Sequence, residues 1–184
     1  TSGQLQEYFI GEVRSGDLVM TPAEIKKKVA SILSSREMLS NIEDFSQRGA
    51  TVEYHAVNVT NEEEMAGLFN EIYKRHGRID GVIHGAGVIE DKLLADKTDE
   101  SWSRVVETKV IGTLLLQKLI RPDLLRFFVV FGSVAGRYGN SGQSDYATAN
   151  ELMSRLCCQL SAQWPDRVNV RSLCWGPWGK TKFG

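Results

Sequence analysis

The sequence predicts an α/β fold built on a doubly wound parallel sheet, and three observations carry that expectation. Apolar or β-branched runs alternate with helix-prone runs four times along the chain, which is the order that right-handed β-helix-β crossovers produce. Three of these runs end in glycines or polar groups, at His84, at Ser133 and at Trp175-Gly176, and parallel sheets bind ligands at the carboxyl ends of their strands. With 184 residues, 42% of them hydrophobic and 24% charged, the chain has the length and composition for one core.

Composition also excludes several classes of function. A net charge of -1 offers no electrostatic case for nucleic acid or an anionic membrane as partner. The sequence has no 18-residue apolar run and no signal-peptide pattern, so a cytoplasmic setting is expected. Cys157, Cys158 and Cys174 have neither metal spacing nor an even number for disulfides, and are expected to be packing residues. His55, His76 and His84 have no ligand partner at metal spacing, so no metal site is expected.

Residues 1–20 are hard to assign. The run 7–20 alternates weakly, as a short strand would, and its glycines lack the spacing of a phosphate-binding loop. Thr21-Pro22-Ala23-Glu24 reads as a helix start, with Thr21 as N-cap, Pro22 at the first position and Glu24 closing a capping box. The apolar stripe that follows (Ile25, Val29, Ile32, Leu33, Leu39, Ile42, Phe45) shifts phase near Ser34-Ser35, so one helix to Arg48 or two helices both fit. Gly49 is the stop.

Residues 51–59 form a β-branched run that reads as the next strand, and Asn61 opens an acid-rich helix that closes at His76-Gly77. Residues 79–83 read as a short strand running into His84-Gly85-Ala86-Gly87. Those glycines either let backbone approach a ligand or serve a turn that needs positive φ. A long helix spans 99–119 with Lys109 embedded among apolar residues, residues 127–131 form a strand, 146–164 a helix, and 168–174 the last strand.

The chemistry concentrates in 131–150, where Ser133 ends a strand and Tyr146 and Asn150 stand four apart on a helix. A tyrosine acting near neutral pH needs a neighbouring cation, because the free phenol titrates near pH 10. Lys109 is the candidate, and it either faces such a pocket or snorkels to water. Ser133 either donates to a carbonyl oxygen or caps a turn, and Asn150 either steers Lys109 or a water or satisfies helix backbone. No G-x-S-x-G elbow supports a serine nucleophile.

From about Arg36 onward the chain resembles a short-chain dehydrogenase/reductase, and more closely the ketoreductase domain of a modular polyketide or polyunsaturated fatty acid synthase. The resemblance rests on HGAG (84–87), ETKVIGT (107–113), the 131–150 stretch and WGPW (175–178). Most reductases of the superfamily use Tyr-x-x-x-Lys, whereas this chain has Tyr146-x-x-x-Asn150 with Lys109 upstream, an exchange similar to that in the synthase ketoreductases.

The resemblance implies a Rossmann-like fold, with 1–20 an N-terminal segment and 21–184 an incomplete ketoreductase catalytic domain. It implies that Tyr146 gives the proton to the substrate carbonyl oxygen, Ser133 holds that oxygen, Lys109 assists Tyr146 and Asn150 completes the set. NADPH would deliver hydride to a β-ketoacyl chain carried on an acyl carrier protein within a multidomain synthase. Cofactor contacts are implied for Asn58, Val59, His84, Gly85, Ala86, Gly87, Gly176 and Pro177, although Asn58-Val59 stands where the family usually has Asp-Val. Ile89-Glu90-Asp91 falls where one stereochemical class has Leu-Asp-Asp, and Tyr138 where the other class tends to have tryptophan. A surface acidic turn is the other reading of that segment.

One part of the family pattern is not present in these residues. The strand and glycine-rich loop that hold the cofactor pyrophosphate do not occur, and they are expected to belong near the Met20-Thr21 junction. A lid helix and a final strand likewise belong after Trp178. A non-catalytic reductase-like subdomain, and a related activity such as an epimerase or dehydratase, are the competing functions.

Overall fold

A computed structural model describes residues 1–177, and it divides into two compact units, Thr1–Tyr54 and a second beginning at His55. The first unit is a helical pair. Helix α1 (Ser2–Ser15) starts in a capping box at Thr1 and ends at Gly16, whose φ of 87° closes it in the left-handed conformation. The strand expected within 7–20 is therefore mostly helix. Leu5, Phe9 and Val13, four residues apart, form the stripe that packs on Ile25 and Val29, and this spacing outweighs the weak alternation around Tyr8 and Ile10.

Helix α2 (Pro22–Gln47) is unbroken, and its start is the predicted capping box of Thr21 and Glu24. The phase shift at Ser34-Ser35 appears as a loss of burial: Ile25, Val29, Ile32 and Leu33 pack against α1, whereas Leu39 and Phe45 are exposed. The run 51–59 forms no strand. Its β-branched residues favour a pleated surface, but a lone run gains no ladder bonds, and 51–59 pairs with none of the three described strands.

The second unit contains a three-stranded parallel sheet in the order β1 (Gly81–His84), β2 (Phe127–Ser133), β3 (Asn169–Trp175). Its helices are α3 (Glu62–His76), α4 (Asp99–Leu119), the single turn and a half of α5 (Val134–Tyr138), and α6 (Ser144–Gln163). The described residues thus hold three of the four expected strands, all parallel, joined by helices. Helix α6 packs on α4, β2 and β3, and α3 packs on α4.

The register sorts the sheet into two faces. Val82, Phe128 and Val170 stand abreast, as do His84, Val130 and Ser172. This face supplies Phe128, Val130 and Val170 to the core with Met65, Phe69, Leu115, Leu116, Met153 and Leu160. Phe127, Ile83 and Leu173 lie on the other face and are exposed. Cys157 is a core residue, as expected, whereas Cys158 and Cys174 are exposed and do not pack the interior. No described helix is long and apolar enough to cross a membrane.

Candidate functional site

Parallel register brings the carboxyl ends of β1, β2 and β3 to one edge, and the predicted polar groups follow from that placement. Ser133 is both the last residue of β2 and the N-cap of α5, and its Oγ accepts the Ala135 amide at 3.2 Å. The capping role uses a lone pair, so the hydroxyl hydrogen stays available to a carbonyl oxygen. The two sequence alternatives for Ser133 are thus compatible in one geometry.

Helix α6 carries Tyr146 and Asn150 one turn apart. Asn150 is 1% exposed, and its Nδ2 donates to the Tyr146 carbonyl at 2.7 Å. That is the backbone-satisfying role, yet Asn150 Oδ1 is buried with no hydrogen-bond partner. A buried amide oxygen left open is costly, which marks this point as a place for a water or another donor. Gly136 allows the close approach of α5, since a Cβ there would stand 3.0 Å from Asn150 Cβ.

Lys109 turns to the pocket and not to solvent. It is 3% exposed, donates from Nζ to the Phe131 carbonyl at 2.9 Å, and lies 5.5 Å from the centroid of the Tyr146 ring. Burial pushes its ammonium down to about 8, because the charged form loses hydration without a carboxylate to replace it. The fold thus brings a lysine of α4 beside a tyrosine of α6.

His84 is buried against the backbone of α4, with Nε2 3.2 Å from the Lys109 carbonyl oxygen. Desolvation lowers its pKa, and since a carbonyl only accepts, the neutral ring carries its hydrogen on Nε2. Thr113 Oγ1 donates to the same carbonyl at 2.7 Å, so two side chains fix the backbone of Lys109. Gly85 and Gly87 are exposed, and neither has positive φ. Gly87 is needed for another reason: a Cβ there would stand 3.1 Å from Lys109 Cε and 3.3 Å from Nζ. The glycine leaves room for the lysine, and Ala86 lies half-buried between the two glycines.

The remaining predicted contacts are Asn58, Val59, Gly176 and Pro177. Asn58 is exposed, and its Oδ1 accepts from the Thr60 amide and hydroxyl at 3.0 and 2.9 Å, while Val59 packs on the core. Gly176 and Pro177 are exposed just after β3, whereas Trp178 lies outside the described residues. Among the described residues no group of three or more His, Cys, Asp or Glu side chains could hold a metal ion.

Sequence reasoning missed a second polar cluster beside Tyr146. Lys97 and Asp145 form an ion pair at 2.7 Å with side chains 2% and 1% exposed. Glu90 reaches α4, accepting from Ser101 Oγ at 2.6 Å and from two Arg104 nitrogens at 2.8 and 2.9 Å. These bonds, Arg104 first, hold the Glu90 carboxyl down at about 2. The position of Asp145 directly before Tyr146 is a visible signal, but nothing in the spacing pairs it with Lys97, 48 residues away.

Comparison with known proteins gives a consistent assignment. The KR domain family profile matches residues 23–180. One chain of a polyunsaturated fatty acid synthase from a Thraustochytrium species is 35% identical over 86% of this chain, and the polyketide synthase PksN of Bacillus subtilis is 37% identical over 71%. The chain spans only 6% and 2% of the lengths of those relatives. An N-terminal ketoreductase from a macrolactin assembly line superposes with a TM-score of 0.73 at 32% identity, covering 78% of this chain and 30% of that one. A ketoreductase domain from the bacillaene assembly line gives 0.67 at 30% identity, covering 91% and 37%. Ketoreductase domains of polyketide synthases are oxidoreductases of the short-chain dehydrogenase/reductase type that use nicotinamide cofactors. On its sequence, its parallel sheet and this match, the chain belongs to the KR domain family, the ketoreductase domains of polyketide and polyunsaturated fatty acid synthases.

Proposed function

We propose that this chain reduces a β-ketoacyl thioester, presented by an acyl carrier protein, to the β-hydroxyacyl form with NADPH. The observation that carries the proposal is the Lys109 ammonium, buried with only a neutral carbonyl partner and 5.5 Å from the Tyr146 ring. An unpaired buried cation is costly to a fold and useful to a phenol that must part with a proton.

Ser133 donates its free hydroxyl hydrogen to the ketone oxygen, and Tyr146 gives that oxygen its proton. Lys109 stabilises the phenolate left behind, an electrostatic contribution that gains strength in a water-poor pocket. Asn150 offers Oδ1 as the acceptor for a water that returns the proton. A bound nicotinamide cofactor would supply hydride to the ketone carbon, so that ketone, hydride and proton balance to an alcohol.

The residues fit a nicotinamide at the strand edge better than they fit the rest of the cofactor. Gly85, Gly87 and Gly176 are exposed there and present no Cβ of their own to an approaching ring. Asn58 has its amide oxygen committed to Thr60, and no glycine-rich loop for pyrophosphate occurs in the sequence. The missing loop is also what supports the competing reading, a reductase-like subdomain without cofactor.

NADPH oxidation with a β-ketoacyl thioester mimic separates the two. The chain is expected to bind NADPH and turn over, and Tyr146→Phe to lower kcat by roughly 10²- to 10⁴-fold with the fold intact. Absence of NADPH binding by the wild-type chain would establish the subdomain reading instead.

A further inference from the structure

Tyr146 stands in the first turn of its helix, where the leading amides have no intrahelical partner. The residue before it compensates. Asp145 Oδ1 accepts the Tyr146 amide at 2.8 Å, and Asp145 Oδ2 accepts from Lys97 Nζ at 2.7 Å. Lys97 Nζ also donates to the Glu90 carbonyl at 2.8 Å, so one ammonium ties three places together.

The same two segments are joined at two further points. The Lys92 amide donates to the Gly142 carbonyl at 3.0 Å, and Gln143 Nε2 donates to Asp91 Oδ2 at 3.0 Å. Glu90 is in turn held by Ser101 and Arg104 on α4, the helix that carries Lys109. A continuous set of bonds therefore runs from α4 through the loop at 90–97 to the amino end of α6. It links the lysine-bearing and tyrosine-bearing helices by a route separate from their direct packing.

A buried ion pair is a poor way to gain stability, because desolvation of both charges offsets their attraction. Its directional bonds, by contrast, fix geometry. We propose that Lys97 is a positioning residue: with Asp145 it clamps the loop at 90–97 to the first turn of α6 and so fixes Tyr146 relative to Lys109. The inference deepens the reductase reading and rests on it for its catalytic consequence.

The test uses the chain in three forms: wild type, Lys97→Met, and Lys97→Met with Asp145→Asn. The double variant removes both charges while its amide oxygen still accepts the Tyr146 N–H, so it keeps the fold where the single variant leaves a carboxylate unpaired. Hydrogen exchange followed by mass spectrometry reads the clamp directly. In the double variant, amides in 142–150 are expected to exchange about tenfold faster while those of β2 keep their wild-type rate. With the β-ketoacyl thioester mimic, kcat is expected to fall about tenfold with KM for NADPH unchanged. Wild-type exchange at 142–150, or faster exchange with undiminished kcat, would overturn the positioning role. If the wild type reduces no ketone, the reductase reading fails on that result, and the exchange measurement alone decides whether the clamp exists.

Discussion

Two lysines are buried within the same site, and their surroundings differ in the one respect that matters to chemistry. Lys97 meets a carboxylate, Asp145, at 2.7 Å. Lys109 meets only the Phe131 carbonyl, with the Tyr146 ring beside it, and its ammonium is pushed down to about 8 by burial. A paired cation is an anchor, because its charge is neutralised where it stands. An unpaired one keeps its field for whatever charge develops next to it. The same residue type thus serves geometry at one point and electrostatics at another.

Deleting the two ammonium groups is therefore expected to have opposite effects on stability. Lys97→Met strands the Asp145 carboxylate in a site where it is 1% exposed, and is expected to destabilise the chain by about 3–5 kcal/mol. Chemical denaturation at neutral pH measures this. A loss below about 1 kcal/mol, the worth of a surface pair, would remove Lys97 from the role of anchor.

Lys109→Met carries the next largest effect, with the sign reversed. The native ammonium titrates near 8 against 10.5 for the unfolded chain, so between those values the unfolded chain binds more protons and stability rises with pH. Below pH 8 the full cost of burial is present, about 3 kcal/mol from a shift of that size. Lys109→Met is expected to recover part of it at pH 7 and to lose the rise between pH 8 and 10. Activity moves the other way. Wild-type kcat is expected to fall as pH climbs through about 8, and the variant to lose about 10²-fold at pH 7 and show no such limb. Denaturation curves and kcat profiles across pH 6–10 test both, and a wild-type profile retained by Lys109→Met would dissociate the lysine from Tyr146.

How much of the fold and the site is legible in the sequence depends on how local the cause is. Capping boxes and helix stops at Thr21-Glu24, Asn61 and Gly77 act within a few residues, and those elements stand where their signals put them. Residues 51–59 mislead because β-branched residues state a preference that only a neighbouring strand can realise. Lys109 can be singled out as an isolated cation in an apolar helix, although its two possible directions stay open until β2 places the Phe131 carbonyl in reach. The pairing of Lys97 with Asp145 is not legible, since charged residues in loops and in first helical turns are ordinarily solvated and a separation of 48 positions carries no periodicity. Gly87 reads in sequence as a ligand approach or a turn, and what it accommodates is a side chain from another element.

That last glycine gives the smallest effect and the finest probe of the unpaired lysine. A Cβ at position 87 would sit 3.1 Å from Lys109 Cε, tighter than ordinary contact, and the atom it meets is near the free end of a flexible chain. Gly87→Ala is therefore expected to fold normally and to displace the ammonium by a few tenths of an ångström. The charge survives, so the alkaline limb of kcat should remain. The distance to Tyr146 changes, so kcat should fall by roughly threefold to tenfold. Both are read from one set of pH profiles beside those of Lys109→Met. Loss of the limb would mean that alanine excludes the charge altogether, whereas an unchanged kcat would mean that the field of Lys109, and not its position, is what Tyr146 requires.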